Sequence, residues 1–224
     1  MKNRYCKSSK LSETRFRLII KCFALDLTAT QTAEMTGVSR NSINLLFFAI
    51  RRRIAKNSRL ESPLSSEFEA DESYFGATRV KGKRGCGAGR KHIVFGLLKR
   101  DGNVYVQVVP NAKAATLQPI ILGRADIESV IYADGWAGYD GLVTLGCEKH
   151  FRVYHSKDEF STGDGNHING IESFWAFAKH RLTKFKGVAP KTFELHLRET
   201  EFRFNNRDLD FYKLMLKVLR KNPL

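Results

Sequence analysis

The sequence predicts a two-part α/β protein: a small, basic, all-α N-terminal domain, then a mixed five-stranded sheet flanked by helices. Three observations predict it. Residues 1–60 hold 13 Lys/Arg against 3 Asp/Glu and read as helices (13 − 3 = +10). From Glu67 onward the apolar pattern shortens to strand-like runs separated by turn residues. From His167 onward the helical period returns, on a segment carrying both an acid and a base beside its apolar stripe.

The first helix spans 11–26, with Phe16, Ile19, Ile20, Phe23 and Leu27 at helical spacing. Thr28 with Gln31 forms a capping-box pattern that opens a short second helix through Thr36. Gly37 supplies the turn, and Ser39 caps a third helix whose apolar face is Ile43, Leu46, Phe47, Ile50 and Ile54. Two helices joined by so tight a turn suggest a helix-turn-helix over 1–58. Arg40, Asn41 and Asn44 then face base edges, and Arg51, Arg52, Arg53 and Lys56 hold phosphates. A trihelical packing module is the plainer alternative, which the charge disfavours. Asn57 to Ser66 (NSRLESPLSS) has little to pack, which makes 59–66 a linker.

Glu67–Phe75 (EFEADESYF) alternates like a strand, so Asp71 and Glu72 point to opposite faces. The Gly-rich basic run from Gly76 to Lys91 lacks the GxxxxGK[ST] order of a nucleotide-binding loop and reads as a hairpin tip or a solvated loop. His92–Lys99 and Asn103–Val109 form a hairpin, and Lys113–Leu122 a loop and short helix with Pro119 tolerated only near its first turn. Glu128–Ala133 is an apolar strand ending in Asp134-Gly135, a common place for a site and equally for a turn. Trp136–Leu145 reads as a helix, Lys149–Tyr154 as a strand and Ser156–Asn166 as a polar loop. Two closing helices follow Pro190, over Thr192–Arg203 and Leu209–Leu219, with Asp208 available to cap the last. All of 67–224 then forms one domain.

Three strands, helix, strand, helix, strand and helices is the order of a ribonuclease H-like fold. In that arrangement the first and fourth strands are neighbours, and Asp71 meets Asp134. On the helix that follows, Ile171, Phe174, Trp175, Ala178, Leu182 and Phe185 make one stripe. Glu172 and Lys179 lie just under two turns apart (179 − 172 = 7) and emerge at nearly one angle beside it. Glu172 can therefore complete a carboxylate trio. Three converging carboxylates repel unless hard cations neutralise them, so two Mg²⁺ or Mn²⁺ ions are the expected cofactor. Such a pair serves phosphodiester displacement, with Lys179 adding positive charge near a phosphate. A zinc site from His150, His155 and His167 is the rival, but their spacing matches no zinc pattern.

Composition narrows the class. The chain of 224 residues carries 38 Lys/Arg and 23 Asp/Glu, hence +15, which favours a polyanionic partner such as DNA. The basic residues form no single long amphipathic helix, which argues against a membrane surface. No apolar run approaches the roughly 20 residues of a membrane span. No apolar segment follows the basic start MKNRYCKSSK, so no secretory signal is expected. Cys6, Cys22, Cys86 and Cys147 lie far apart, and a reducing cytoplasm is the expected location.

DESYFG at Asp71–Gly76, YADGWAGY at Tyr132–Tyr139, HINGIESFW at His167–Trp175 with Lys179, and EFRFNNR at Glu201–Arg207 together resemble the DDE transposases of bacterial insertion sequences, in the ISXO-like group. The likeness runs from about Glu69 to Arg207, and the preceding helix-turn-helix fits it. It implies a ribonuclease H-like catalytic domain with Asp71, Asp134 and Glu172 as the metal-binding triad (134 − 71 = 63; 172 − 134 = 38). Lys179 corresponds to the basic residue seven positions after the third acid. His155, His167 and Asn169 match motif positions for which substrate contact and site orientation are both open. Only Cys6 stands where many relatives carry a Cys-rich zinc ribbon. Glu172 is present where some relatives have Asn. The implied partners are terminal inverted repeats and target DNA, bound by a homodimer or higher assembly. Two alternatives are a non-catalytic DNA-binding regulator and a structure-specific nuclease or resolvase that cuts without joining.

Overall fold

The computed structural model describes residues 3–7, 9–57, 67–76, 91–100, 102–125, 129–134, 149–153, 168–185 and 187–224, with backbone alone at 57, 134 and 149–153. The expected linker at 59–66, the Gly-rich stretch beyond Gly76, the helix at 136–145 and the loop at 156–166 lie outside them. The chain divides into two compact units, Met1–Leu60 with Arg198–Leu224, and Glu61–Leu197.

The first unit contains α1 (Glu13–Ala24), α2 (Ala29–Thr36), α3 (Arg40–Asn57), the second half of α6 (Pro190–Asn205) and α7 (Phe211–Lys221). Local chemistry sets its boundaries. Thr28 and Gln31 form the reciprocal capping box of α2, and Gly37 ends that helix at φ 67°. The Ser39 hydroxyl accepts from Ser42 N–H at 3.2 Å at the start of α3. Phe16, Ile19, Ile20 and Phe23 of α1 form one core with Ile43, Phe47, Ile50 and Ile54 of α3.

Met215 and Leu219 of α7 belong to that core as well. This corrects the expectation that 198–224 closes the sheet domain. The α7 stripe was legible as an apolar face, but periodicity does not say what covers it. The two ends of the chain also pair: Lys7 N–H donates to Leu224 O at 2.8 Å, and Leu224 N–H to Tyr5 O at 2.9 Å. Fully buried Glu199 of α6 accepts from Arg51 Nε at 2.6 Å and from Arg203 Nε at 2.9 Å. Arg203 in turn donates to the carbonyls of Phe23 and Ala24 at the end of α1, where a helix needs acceptors satisfied from outside its own ladder. Asp210, not Asp208, caps α7, accepting from Lys213 N–H at 3.0 Å.

The second unit is a mixed sheet of β1 (Glu67–Phe75), β2 (His92–Lys99), β3 (Val104–Val109), β4 (Val130–Asp134) and β5 (Lys149–Val153), in the order β3-β2-β1-β4-β5. The β1–β2 and β2–β3 pairs are antiparallel, whereas β1–β4 and β4–β5 are parallel. On one face Phe68, Ala70, Phe95, Leu97, Ile131 and Ala133 pack with Leu117 and Ile121 of α4 (Ala114–Leu122). Pro119 is the sixth residue of α4, beyond the first turn where it was expected, so the helix forgoes one backbone donor there. Pro190 opens α6 as its first residue, where a missing N–H costs no helical bond. The opposite face receives α5 (Asn169–Thr183). No helix among the described residues is long and apolar enough to cross a membrane.

Candidate active site

The site is built on the face of β1 that meets α5. Strand alternation puts Glu69, Asp71, Ser73 and Phe75 on that face, and the antiparallel register sets Gly96 of β2 opposite Asp71. Helical spacing buries Ile171, Phe174, Trp175, Ala178 and Leu182 of α5 and leaves Glu172 and Lys179 exposed, as the stripe predicts.

Two polar contacts fasten α5 to β1. Glu69, only 2% exposed, accepts from the backbone N–H of Ile171 at 2.8 Å. A carboxylate there meets both an orphan donor of the first turn and the positive end of the helix dipole. Farther along, Asp71 Oδ2 accepts from the indole N–H of Trp175 at 2.9 Å, while Oδ1 accepts from Glu72 N–H at 2.8 Å. In sequence, Glu172 follows the first fastened position, Ile171, and precedes the second, Trp175.

Close approach requires two glycines. A Cβ on Gly170 would lie 2.7 Å from Leu98 Cδ2 and 2.9 Å from Glu69 Oε2. A Cβ on Gly96 would lie 2.7 Å from Trp175 Cζ2 and 2.9 Å from Ile171 Cδ1. Gly96→Ala is therefore expected to cost about 1–3 kcal/mol by overpacking. Urea denaturation checks this, and a change below about 0.5 kcal/mol would mean that the indole moves aside freely.

Arg100 gives Glu69 a cationic neighbour, with Nε 3.4 Å from Oε1, and its guanidinium lies 3.6 Å above the Tyr132 ring centroid. Burial pushes the Tyr132 phenol pKa up.

The parallel β1–β4 register pairs Glu67 with Val130 and Ala70 with Ala133, a constant offset of 63 (130 − 67). The paired residues end at Ala70 and Ala133, and the next residue on each strand is Asp71 on β1 and Asp134, the last residue of β4. Asp134 is described by its backbone alone, and His155 and His167 lie outside the described residues. Asn169 is the exposed first residue of α5. Among the described residues, which do not include the Asp134 side chain, no three His, Cys, Asp or Glu side chains cluster for a metal ion.

In the other unit, Arg40, Asn41, Asn44, Arg52 and Lys56 are exposed on α3. Arg51 and Arg53, the other two expected phosphate ligands, also make contacts within the unit. Arg51 is bound to Glu199, and Arg53 donates to Pro223 O at 2.6 Å. Both are half-buried and serve the fold of the unit.

Sequence reasoning missed Glu69, Gly96, Gly170 and the Trp175 N–H. Glu69 shares the period-two face of Asp71, so a carboxylate between Phe68 and Ala70 was a usable signal. The glycines carry no such signal until β2 and α5 are placed.

The family model described as the ISXO2-like transposase domain matches residues 63–205. An uncharacterized transposase-like protein of Haemophilus influenzae is 42% identical over 121 residues, covering 54% of this chain and 96% of that protein. An uncharacterized protein in transposable element ISH50 of Halobacterium salinarum is 31% identical over 182 residues, covering 72% of this chain and 61% of that protein. A chain in the crystal structure of the Mos1 strand transfer complex shares 13% identity over 96% of this chain and 78% of its own length. Its TM-score of 0.38 is too low to establish a common fold.

Proposed function

Because the chain belongs to the ISXO2-like transposase family, we propose that it cuts the ends of its own insertion sequence and joins them to target DNA, acting in the cytoplasm. The observation that carries this reading is the β1–β4 register. Extended one residue past Ala70 and Ala133, it would bring Asp71 level with Asp134, and α5, fastened to β1 at Ile171 and Trp175, carries Glu172 in its first turn. Neighbouring strands lie roughly 4.8 Å apart, close enough for level carboxylates to share a cation.

We assign the sheet and its helices to the ribonuclease H-like class, and α1–α3 to a helix-turn-helix. Asp71, Asp134 and Glu172 are all hard oxygen donors, a set whose chemistry suits Mg²⁺ or Mn²⁺. When bound, two such ions about 4 Å apart supply activation of the attacking oxygen and stabilisation of the leaving one. Lys179, nearly two turns beyond Glu172, offers an ammonium to the phosphate. Asn169, His155 and His167 contact or orient the substrate.

Water hydrolyses a phosphodiester at the element end and frees a 3′-hydroxyl. That hydroxyl then attacks a target phosphodiester, one P–O bond forming as another breaks, with no net change in bond number. Arg40, Asn41 and Asn44 read the terminal inverted repeats, while Arg52 and Lys56 hold phosphates. Pairing two ends requires at least a homodimer in the DNA complex.

The test incubates the protein and Mg²⁺ with duplexes carrying the element ends and a target plasmid. Nicked ends followed by joined products are expected. Cutting without joining would make the protein a structure-specific nuclease, and binding without either would make it a regulator.

A further inference from the structure

We infer that Trp175 is a positioning residue for Asp71: its indole N–H aims the carboxylate that the proposed function makes a metal ligand, and the inference rests on that reading. Both oxygens of Asp71 accept from a donor of fixed origin, Oδ1 from the backbone of its own strand and Oδ2 from a ring on α5. Two such donors define the plane of a carboxylate that would otherwise rotate broadly about its last torsion. An ionised carboxylate offers about four acceptor positions, so accepting these two bonds does not preclude ligating a cation.

The ring is held as firmly as the group it aims. Trp175 is 5% exposed, meets Phe75 edge-on at 6.0 Å between centroids, and lies over Gly96 where a Cβ would collide with it. Gly96 is the register partner of Asp71, so the gap in β2 admits the indole at the level of the carboxylate. Trp175 is also three residues from Glu172, so the side chain that aims one proposed ligand fixes the helical turn carrying another. Phenylalanine would keep an aromatic ring in the pocket, though a smaller one, and could not donate. A buried tryptophan often has a hydrogen-bond partner for packing reasons alone. Metal affinity separates the two roles, because groups that orient a ligand typically change affinity 10–100-fold when removed.

The experiment measures Mn²⁺ affinity from the electron paramagnetic resonance signal of the free ion, with wild type, Trp175→Phe and Asp71→Asn. Trp175→Phe is expected to bind Mn²⁺ about 10–100-fold more weakly, with Asp71→Asn at least as impaired. Wild-type affinity in Trp175→Phe beside a loss in Asp71→Asn would overturn the positioning role and leave the metal site standing. Wild-type affinity in both would overturn the metal reading itself. Should Trp175→Phe fail to fold, the indole signal decides. The chain has two tryptophans, so Trp136→Phe leaves Trp175 as the single indole N–H resonance. Substoichiometric Mn²⁺ is expected to broaden that resonance beyond detection, and a signal that stays sharp would refute the inference.

Discussion

Glu172→Gln is expected to lower Mg²⁺-dependent nicking of element-end DNA by about a thousandfold, the order found when one preorganised electrostatic group is removed from a site. That corresponds to about 4 kcal/mol of lost transition-state stabilisation. The substitution keeps size and hydrogen-bonding reach and removes only the charge that would attract a cation. Its structural cost is small, because Glu172 is exposed in the first turn of α5. Losing a favourable dipole interaction there amounts to about 0.3–1 kcal/mol. Loss of cleavage with melting temperature and DNA affinity retained is therefore the expected pattern. Nicking within threefold of wild type would remove Glu172 from the site.

Asp71→Asn is a harsher test of the same site and a less clean one. The carboxylate accepts from both Glu72 N–H and Trp175 Nε1–H, whereas an amide has one oxygen. One donor would then face an NH₂ group, at a cost of about 1–3 kcal/mol. Activity of that variant must be compared at equal folded fraction.

The largest stability effect is expected at Glu199. It is fully buried and accepts from Arg51 and Arg203, which approach it from α3 and from one turn along its own helix. Removing Glu199 takes the carboxylate at 2.6 Å from Arg51 and leaves Arg203 with Asp26 at 3.5 Å, and breaking a buried ion network in this way costs about 3–5 kcal/mol. A domain stable by about 5–15 kcal/mol loses a large share of that. Glu199→Ala is expected to lower the urea midpoint of the N-terminal unit, and DNA affinity with it. Glu199 nonetheless lies far from α3 in sequence and bears none of the proposed DNA contacts. Unchanged stability would show that Arg51 and Arg203 find other acceptors. Glu199→Gln, which keeps one acceptor oxygen, should fall between the two.

Much of the architecture was readable from local pattern. The capping box at Thr28, the turn at Gly37, the alternation of β1 and the apolar stripe of α5 each depend on residues within one or two turns of one another. Sequence therefore determines them directly. The same holds for the exposed placement of Glu172 and Lys179, which follows from helical angle alone.

What the sequence by itself determined is thus, among the described residues, the kind of most local elements and their order, the uneven basic charge, and the residues available for a carboxylate site. Tertiary structure alone decided three things. It assigned α7 to the N-terminal unit, because an apolar stripe records that it must be covered and not by what. It gave Arg51 and Arg53, both candidate phosphate ligands, contacts with Glu199 and Pro223, since charge in a sequence does not reveal burial. And it brought Glu69 and Asp71 against α5 through Gly96 and Gly170, a fit between segments far apart in the chain. Local periodicity carries no information about which strand lies opposite which helix; the β1–β2 register and the helix packed on it supply that.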